Sequence, residues 1–550
     1  MMARSSHLHV WGSLVRFEPL ADVTRGMVEP GALSAASSVQ RVQERRWHQA
    51  WTQARSSSIL RVSVLGGSVA CGGGAAFPSS EADLGGSWVR RMADVLKDEL
   101  AAVGLERVRA SVSVACKGGV TPDFFAMCSE TSLGAADVVL VEFMPNMDIS
   151  GQPMDISVYN VRVLLQEVRR ALPRAPIVFI GWPSFHQWLA APAIEALGEI
   201  EARLKQVAFA ADGVDGLFAS QLMLQQAGGR RIGNVTLVLQ RIHETFYAEQ
   251  THPRQAGHAL LGTATARFVA TRMRHAAVSG SSSFAAVAEP GRAGSKARRS
   301  WCFQRADQLP VAAPGGWQLV NEGGAQVHGT RKLGLLSTQV GQSLVLGPLV
   351  PELRCATLAV SLGVLQSWRQ DQGALRVDCS GCDCVEGNEK WRRKEDLQAT
   401  RFPLVQTHSH LLPRSTVTLP NATVTVQTRF FVVKDERECF VNITHVTWPA
   451  RDEAQAARRS RVRVDNLALQ EPQCGSVCRL ALRGNRAQRR AGLHAKECAQ
   501  RHEASEACWN LGPQDAAGAR ACRLEEDVYV YSASRQKRSR ATATGSFVLK

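Results

Sequence analysis

The chain is 550 residues long, carries a formal net charge of +16, and is 45% hydrophobic. That length exceeds what a single core serves, so about two to four domains are expected, and the hydrophobic share is ordinary for a folded protein. No run approaches the roughly eighteen apolar residues of a helical membrane span, so none is expected; the charge either favours polyanionic partners (acidic glycans, membrane surfaces, nucleic acid) or reflects an arginine-rich composition spread over solvated faces.

Residues 1–56 are polar and read as an irregular N-terminal extension. Met1–Leu20 does not read as a signal peptide, because the apolar stretch Val10–Val15 is short and no small-residue cleavage site plainly follows. From Ile59 to about His275, strand and helix patterns alternate, and 57–276 reads as one α/β domain. Ile59–Gly66 is a strand pattern. Ser87–Leu105 is an amphipathic helix pattern with Trp88, Met92, Val95, Leu96, Leu100 and Val103 on one face and Ser87 as its cap. Val108–Ala115, Ala136–Phe143, Ile177–Ile180 and the weaker Val214–Ala219 are strands; Val158–Leu172, Ile194–Ala211 and Gln255–His275 are helices. Short apolar strands alternating with helices imply a parallel sheet covered on both faces. Ligands of such folds bind beyond the carboxyl ends of the strands.

Residues 277–300 are a linker by composition. From 301 to 448 the pattern is short strands without helices: Thr357–Leu362, Leu375–Val377, Val417–Val426 and Phe430–Val433. Thr416, Thr418, Thr423 and Thr425 alternate with apolar neighbours, the period of half-buried antiparallel strands, so a sandwich-like all-β domain is expected. Residues 449–550 are rich in cysteine and arginine. Arg479, Arg483, Arg486, Arg489 and Arg490 would line one helix face. Gly484-Asn485 interrupts that helix and no aromatic residues interleave for base stacking, which counts against nucleic acid.

Eleven of the fourteen cysteines follow residue 300, beside two of the three Asn-X-Ser/Thr sequons (Asn234, Asn421, Asn442). This favours disulfides and the secretory pathway; the lack of a plain signal peptide argues the other way. Cys379-X-X-Cys382-X-Cys384, Cys474-X3-Cys478 and His494-X3-Cys498 are the alternative, a zinc site. Eleven is odd, so one of these cysteines is free or pairs outside its half. Cys71 reads as a buried, inert thiol.

Three segments end in polar residues suited to ester cleavage. Val62–Leu65 leads into Gly66-Gly67-Ser68, Val138–Phe143 leads to Asn146, and Glu249-Gln250-Thr251-His252-Pro253 precedes the final helix. A serine hydroxyl needs a base to take its proton, and a histidine needs an acid to fix its tautomer. Ser68, His252 and Glu249 supply that set, and Asn146 an oxyanion donor. The plainer alternatives are a helix-capping serine, a turn asparagine after Pro145 and a surface histidine. His186, His243 and His258 read as structural.

At these residues the chain resembles the SGNH (GDSL-type) hydrolases, in particular eukaryotic members with Gly-Gly-Ser at the nucleophile. Gly66-Gly67-Ser68 resembles the nucleophile block, Lys117–Thr121 the block of the oxyanion glycine (Gly119), Val141–Asn146 that of the oxyanion asparagine, and Phe246–Pro253 that of the acid and base. The resemblance spans roughly Arg55–His275. It implies a flavodoxin-like parallel sheet, a serine-dependent esterase acting on ester-bearing small molecules or acylated glycans, and no cofactor or metal. The alternatives are an acyltransferase of the same fold or a catalytically inactive carbohydrate-binding relative. Met147 and Glu249 stand where the family usually has aspartate, and Gly67 replaces the aspartate before the serine. No oligomeric state is implied.

Overall fold

The computed structural model describes residues 36–74, 86–149, 154–185, 187, 198, 200–205, 213–227, 235–249, 251–279, 300–321, 333–349, 357–367, 373–386, 405–406, 423–434, 438–446 and 461–470. Five strands form a parallel sheet: β1 (Ile59–Gly66), β2 (Arg109–Cys116), β3 (Val138–Glu142), β4 (Ile177–Gly181) and β5 (Asp215–Phe218). Their order is β2-β1-β3-β4-β5, the flavodoxin-like winding. The central strands β3 and β4 are buried at every residue, as expected for apolar runs covered on both faces. Edge strand β2 alternates exposed and half-buried positions over most of its length.

The helices in this region are α1 (Ala36–Ser57), α2 (Trp88–Ala101), α3 (Pro122–Leu133), α4 (Met144–Ile149), α5 (Met154–Ala171), α6 (Ala219–Gln226), α7 (Val235–Phe246) and α8 (Gln255–Ser279). Helices α1 and α2 both pack on α8, whereas α3 packs on α5. Ser87 caps α2 as expected, its hydroxyl accepting the Arg90 N–H, and Trp88, Met92, Leu96 and Leu100 are fully buried. The Ile194–Ala211 pattern falls largely outside the described residues.

One expectation is corrected at the N-terminus. Residues 36–57 are not an irregular extension but a helix on the core. Its buried stripe is Gln43, Trp47, Ala50 and Ala54, at helical spacing. The stripe is hard to read because a glutamine and two alanines stand where large apolar residues would mark it. Gln43 is buried because Asp215 at the start of β5 accepts its Nε2 at 2.9 Å. The same Asp215 oxygen accepts Trp47 Nε1 at 2.7 Å, and Arg272 of α8 pairs with the other.

The second region is antiparallel. One sheet has the order β14-β12-β16-β10-β7 and the other β13-β15-β11-β17-β9-β8, with β6 also paired to β17. The strands are β6 (Ser300–Phe303), β7 (Val311–Ala313), β8 (Gln318–Asn321), β9 (Leu333–Ser337), β10 (Ser343–Leu346), β11 (Thr357–Ser367), β12 (Ala374–Ser380), β13 (Cys382–Glu386), β14 (Val405–Gln406), β15 (Thr423–Lys434), β16 (Phe440–Val446) and β17 (Val462–Gln470). Disulfides Cys379–Cys384 and Cys382–Cys439 link the two sheets. They consume the thiolates that a zinc site would need there. Buried His445 in β16 meets Ser337 Oγ in β9 at 2.9 Å.

Two further expectations change. β17 lies beyond residue 448 yet is buried at all nine positions, so the β-region continues to Gln470. Its polar residues hid it: Arg463 and Asp465 pair with each other while buried. Cys302 pairs outside its half, with Cys128 of α3. This joins the β-region to the α/β region within one compact unit, where Ala468 of β17 shares the α/β core. The arginines 479–490, the Cys474-X3-Cys478 and His494-X3-Cys498 pairs and residues 417–422 lie outside the described residues. Among the described residues no helix is long and apolar enough to cross a membrane.

Candidate active site

In a 2-1-3-4-5 sheet the winding reverses between β1 and β3, so the loops leaving those two strands part and open a crevice. Ser68 leaves β1 and Asn146 lies just after β3. Gly66 and Glu142 are register partners at the two strand ends, and Gly67 N–H donates to the Glu142 carbonyl at 3.0 Å.

His252 Nε2 lies 2.8 Å from Ser68 Oγ. Its Nδ1 meets Glu249 Oε1, which also accepts the His252 backbone N–H at 2.9 Å. Glu249 Oε2 accepts the Thr251 N–H at 3.1 Å. The segment is closed by a bridge between Tyr247 and Pro253 and by Ala248 N–H donating to the His252 carbonyl at 2.9 Å. The turn therefore folds the longer glutamate side chain back under its own histidine. Glu249 is pushed down to about 2: burial raises it, but the His252 hydrogen bond and charge and the two backbone N–H groups outweigh burial. The group is an anion at any working pH, although its side chain is 46% exposed.

Asn146 is buried and donates from Nδ2 to the Val120 carbonyl at 2.7 Å. That bond uses one of its two N–H hydrogens. A side chain at Gly67 would collide with Asn146, so the asparagine leaves room for glycine alone before Ser68. Met147 is buried in the core and its carbonyl accepts Ser157 Oγ at 2.6 Å; an apolar residue suits that site. Gly119 has φ +75°, a conformation glycine adopts without strain. Its neighbour Gly118 stands beside Ser68: a methyl there would be 3.6 Å from Ser68 Cβ.

His258 and Cys71 hold the turn that follows Ser68. His258, at 0% exposure, accepts the Trp88 N–H on Nδ1 at 3.1 Å, so Nε2 carries the proton and donates to the Gly73 carbonyl at 3.0 Å. Burial pushes His258 down to about 4; the His252 charge adds to this and the Gly73 bond opposes it. Cys71 is corrected from a free thiol to a disulfide with Cys116. The sheet brings the pair together: β1 and β2 are parallel neighbours with Gly66 opposite Cys116, and Cys71 follows β1 closely.

Glu142 was not singled out in the sequence. It is fully buried, accepts the Ala70 N–H on Oε2 at 3.2 Å, and is pushed up to about 8 by burial, which the backbone N–H groups of Ala70 and Gly67 only partly oppose. Burial thus favours its neutral form beneath the turn. His243 stacks on Tyr247 and lies against Phe185, a structural setting. His186 lies outside the described residues. Among the described residues no cluster of three His, Cys, Asp or Glu side chains could hold a metal ion.

No family model matches the chain, and no curated protein matches it. Solved structures do match. A two-domain esterase active on acetylated mannans aligns over 78% of this chain and 96% of its own, at 14% identity and a TM-score of 0.47. A lipase/acylhydrolase from Enterococcus faecalis aligns over 39% of this chain and 96% of its own, at 18% identity and a TM-score of 0.29. An active-site mutant of a family two carbohydrate esterase from Clostridium thermocellum aligns over 38% of this chain and 63% of its own, at 16% identity and a TM-score of 0.27.

Proposed function

We propose that the chain is a serine-dependent hydrolase of carboxylic esters, of the SGNH kind. The observation that carries this reading is the unbroken line of Ser68 Oγ, His252 Nε2, His252 Nδ1 and Glu249 at the carboxyl edge of the sheet. A turn serine or a surface histidine has no reason to meet across that line, or to have an ionised carboxylate behind it.

In this reading His252 takes the Ser68 proton as Oγ attacks the ester carbonyl. The negative charge that develops on the carbonyl oxygen is met by the Asn146 amide and the Ser68 and Gly119 backbone N–H groups, each donor worth about 2.7–4 kcal/mol. His252 then gives its proton to the leaving alcohol. Water, deprotonated by His252, cleaves the acyl-serine and restores the site. Glu249 stays ionised and stabilises the imidazolium. No step needs a cofactor.

Acyl groups on glycans are the substrate class to test, with the β-region, tied to α3 by Cys128–Cys302, as the place for the polymer. The experiment is fluorophosphonate labelling with peptide mapping, paired with assays on an aryl ester and an acetylated polysaccharide. The adduct is expected on Ser68 alone. Labelling without turnover in water, but with acyl transfer to an added sugar, selects a transferase; no labelling and no turnover selects a binding protein.

A further inference from the structure

We propose that the Cys71–Cys116 disulfide positions the catalytic groups, holding the nucleophile turn and the oxyanion loop in one register. The inference rests on the esterase reading above and adds two residues to its machinery.

Cys71 lies three residues after Ser68, and Cys116 shortly before Gly118 and Gly119. The two half-cystines, 45 residues apart with Cα atoms 5.4 Å apart, therefore join the loop that presents the nucleophile to the loop that flanks it. One backbone hydrogen bond between the described residues of these loops lies at their base. Lys117 N–H donates to the Gly66 carbonyl at 3.1 Å, below the turn, and a methyl at Gly118 would stand 3.6 Å from Ser68 Cβ.

Val69 and Ala70, just after Ser68, are buried in the core, but the end of the turn has no such side chain, and His258 holds it through the Gly73 carbonyl. That end runs Cys71-Gly72-Gly73-Gly74, with Gly72 and Gly74 at φ +86° and +84°, so Cys71 carries its one side chain. Such a segment has more freedom to lose than any other composition. Yet it forms the wall behind the base: a methyl at Gly73 would lie 2.5 Å from His252 Cδ2 and 2.9 Å from Nε2. Gly73 N–H also donates to the Ser68 carbonyl at 2.8 Å. A shift of this turn moves the nucleophile and the surface against which the imidazole rests together. Catalytic groups tolerate about half an ångström of displacement, and about 1 Å costs on the order of 10²-fold in rate.

The test is Cys71→Ser/Cys116→Ser in the full chain, assayed on an aryl ester. The expected result is a fall in kcat of about 10²-fold, a KM within about threefold, and fluorophosphonate labelling of Ser68 slowed to match, while circular dichroism shows the fold intact at the assay temperature. Cys379→Ser/Cys384→Ser, which removes a disulfide between β-region strands, should keep kcat within about twofold. Dithiothreitol gives a second route. Each reduced bond takes two electrons and two protons to yield two thiols, and the reagent becomes its cyclic disulfide. Reduction should slow the wild type reversibly, with recovery on re-oxidation, and should not slow the double-serine variant further.

The proposal is overturned by a folded double-serine variant with wild-type kcat. It is equally overturned by wild type that keeps full activity while mapping shows Cys71 as a free thiol; this second measurement decides if the variant does not fold. A wild type that neither labels at Ser68 nor cleaves esters fails the esterase reading itself, whatever the disulfide does.

Discussion

His252 Nε2 lies 2.8 Å from Ser68 Oγ, across 184 residues of chain. The fold achieves this by bringing the turn before α8 to the same sheet edge as the end of β1. Glu249 completes the line, and its side chain is spent on three contacts, to the ring and to two backbone N–H groups. Glu249→Ala should lower kcat by about 10⁴, as for triad acids elsewhere. Glu249→Asp should also lose activity, because the shorter side chain draws the carboxylate back by about an ångström from a turn built for glutamate. Steady-state kinetics on one aryl ester checks both. An unaffected Glu249→Ala would remove the acid from the triad.

Asn146 and Gly67 form a second coupled pair. Asn146→Ala should lower kcat by about 10²–10³ and leave the Val120 carbonyl without its donor, a cost of about 1–3 kcal/mol. Gly67→Ala should also lose activity, because its methyl would collide with the asparagine. In the Asn146→Ala background that collision is gone. The double variant is therefore expected to be little worse than Asn146→Ala alone, and a double-mutant cycle in kcat measures the coupling. Strict additivity would mean that the two residues act apart.

The buried Glu142 carboxyl sets a pH dependence of stability. Its value rises from 4.5 to about 8 on folding. Between these limits the folded protein keeps a proton that the unfolded chain has released, so stability falls as pH rises from 4.5 and levels off above about 8. Glu142→Gln keeps an acceptor for the Ala70 N–H and has nothing to titrate. It should exceed wild type by roughly 3 kcal/mol at pH 7 and match it near pH 4. Urea unfolding across that range provides the check. A gap that does not change with pH would show that Glu142 does not titrate in this way.

Asp215 anchors α1 to the sheet. Asp215→Ala would leave Trp47 Nε1, Gln43 Nε2 and Arg272 without their shared acceptor, and a loss of about 3 kcal/mol is expected. Trp47→Phe should cost about 1–3 kcal/mol, since it removes a donor and leaves one acceptor bond unmade. Denaturant unfolding measures both. Changes below about half a kcal/mol would mean that α1 is an appendage after all.

The parallel sheet was legible from the chain because Val138–Phe143 and Ile177–Ile180 are apolar at nearly every position, a pattern that only two-sided burial produces. That Ser68, Asn146, Glu249 and His252 lie at one edge of the sheet was legible because each follows such a strand or precedes a helix, where parallel sheets place their ligands. Period and position are local properties, and the sequence carries them by itself. What it could not carry were the residues whose role depends on a distant partner. Gln43 looks like a surface residue until Asp215 stands beside it, and β17 looks like a charged tail until Arg463 and Asp465 pair inside the sheet. Glu142 looks like an ordinary strand end until Ala70 and Gly67 close over it. Cys71 looks like a lone thiol until β2 lies alongside β1. In each case burial of a polar group is tolerable only when its partner is present, and tertiary structure alone brings the partner.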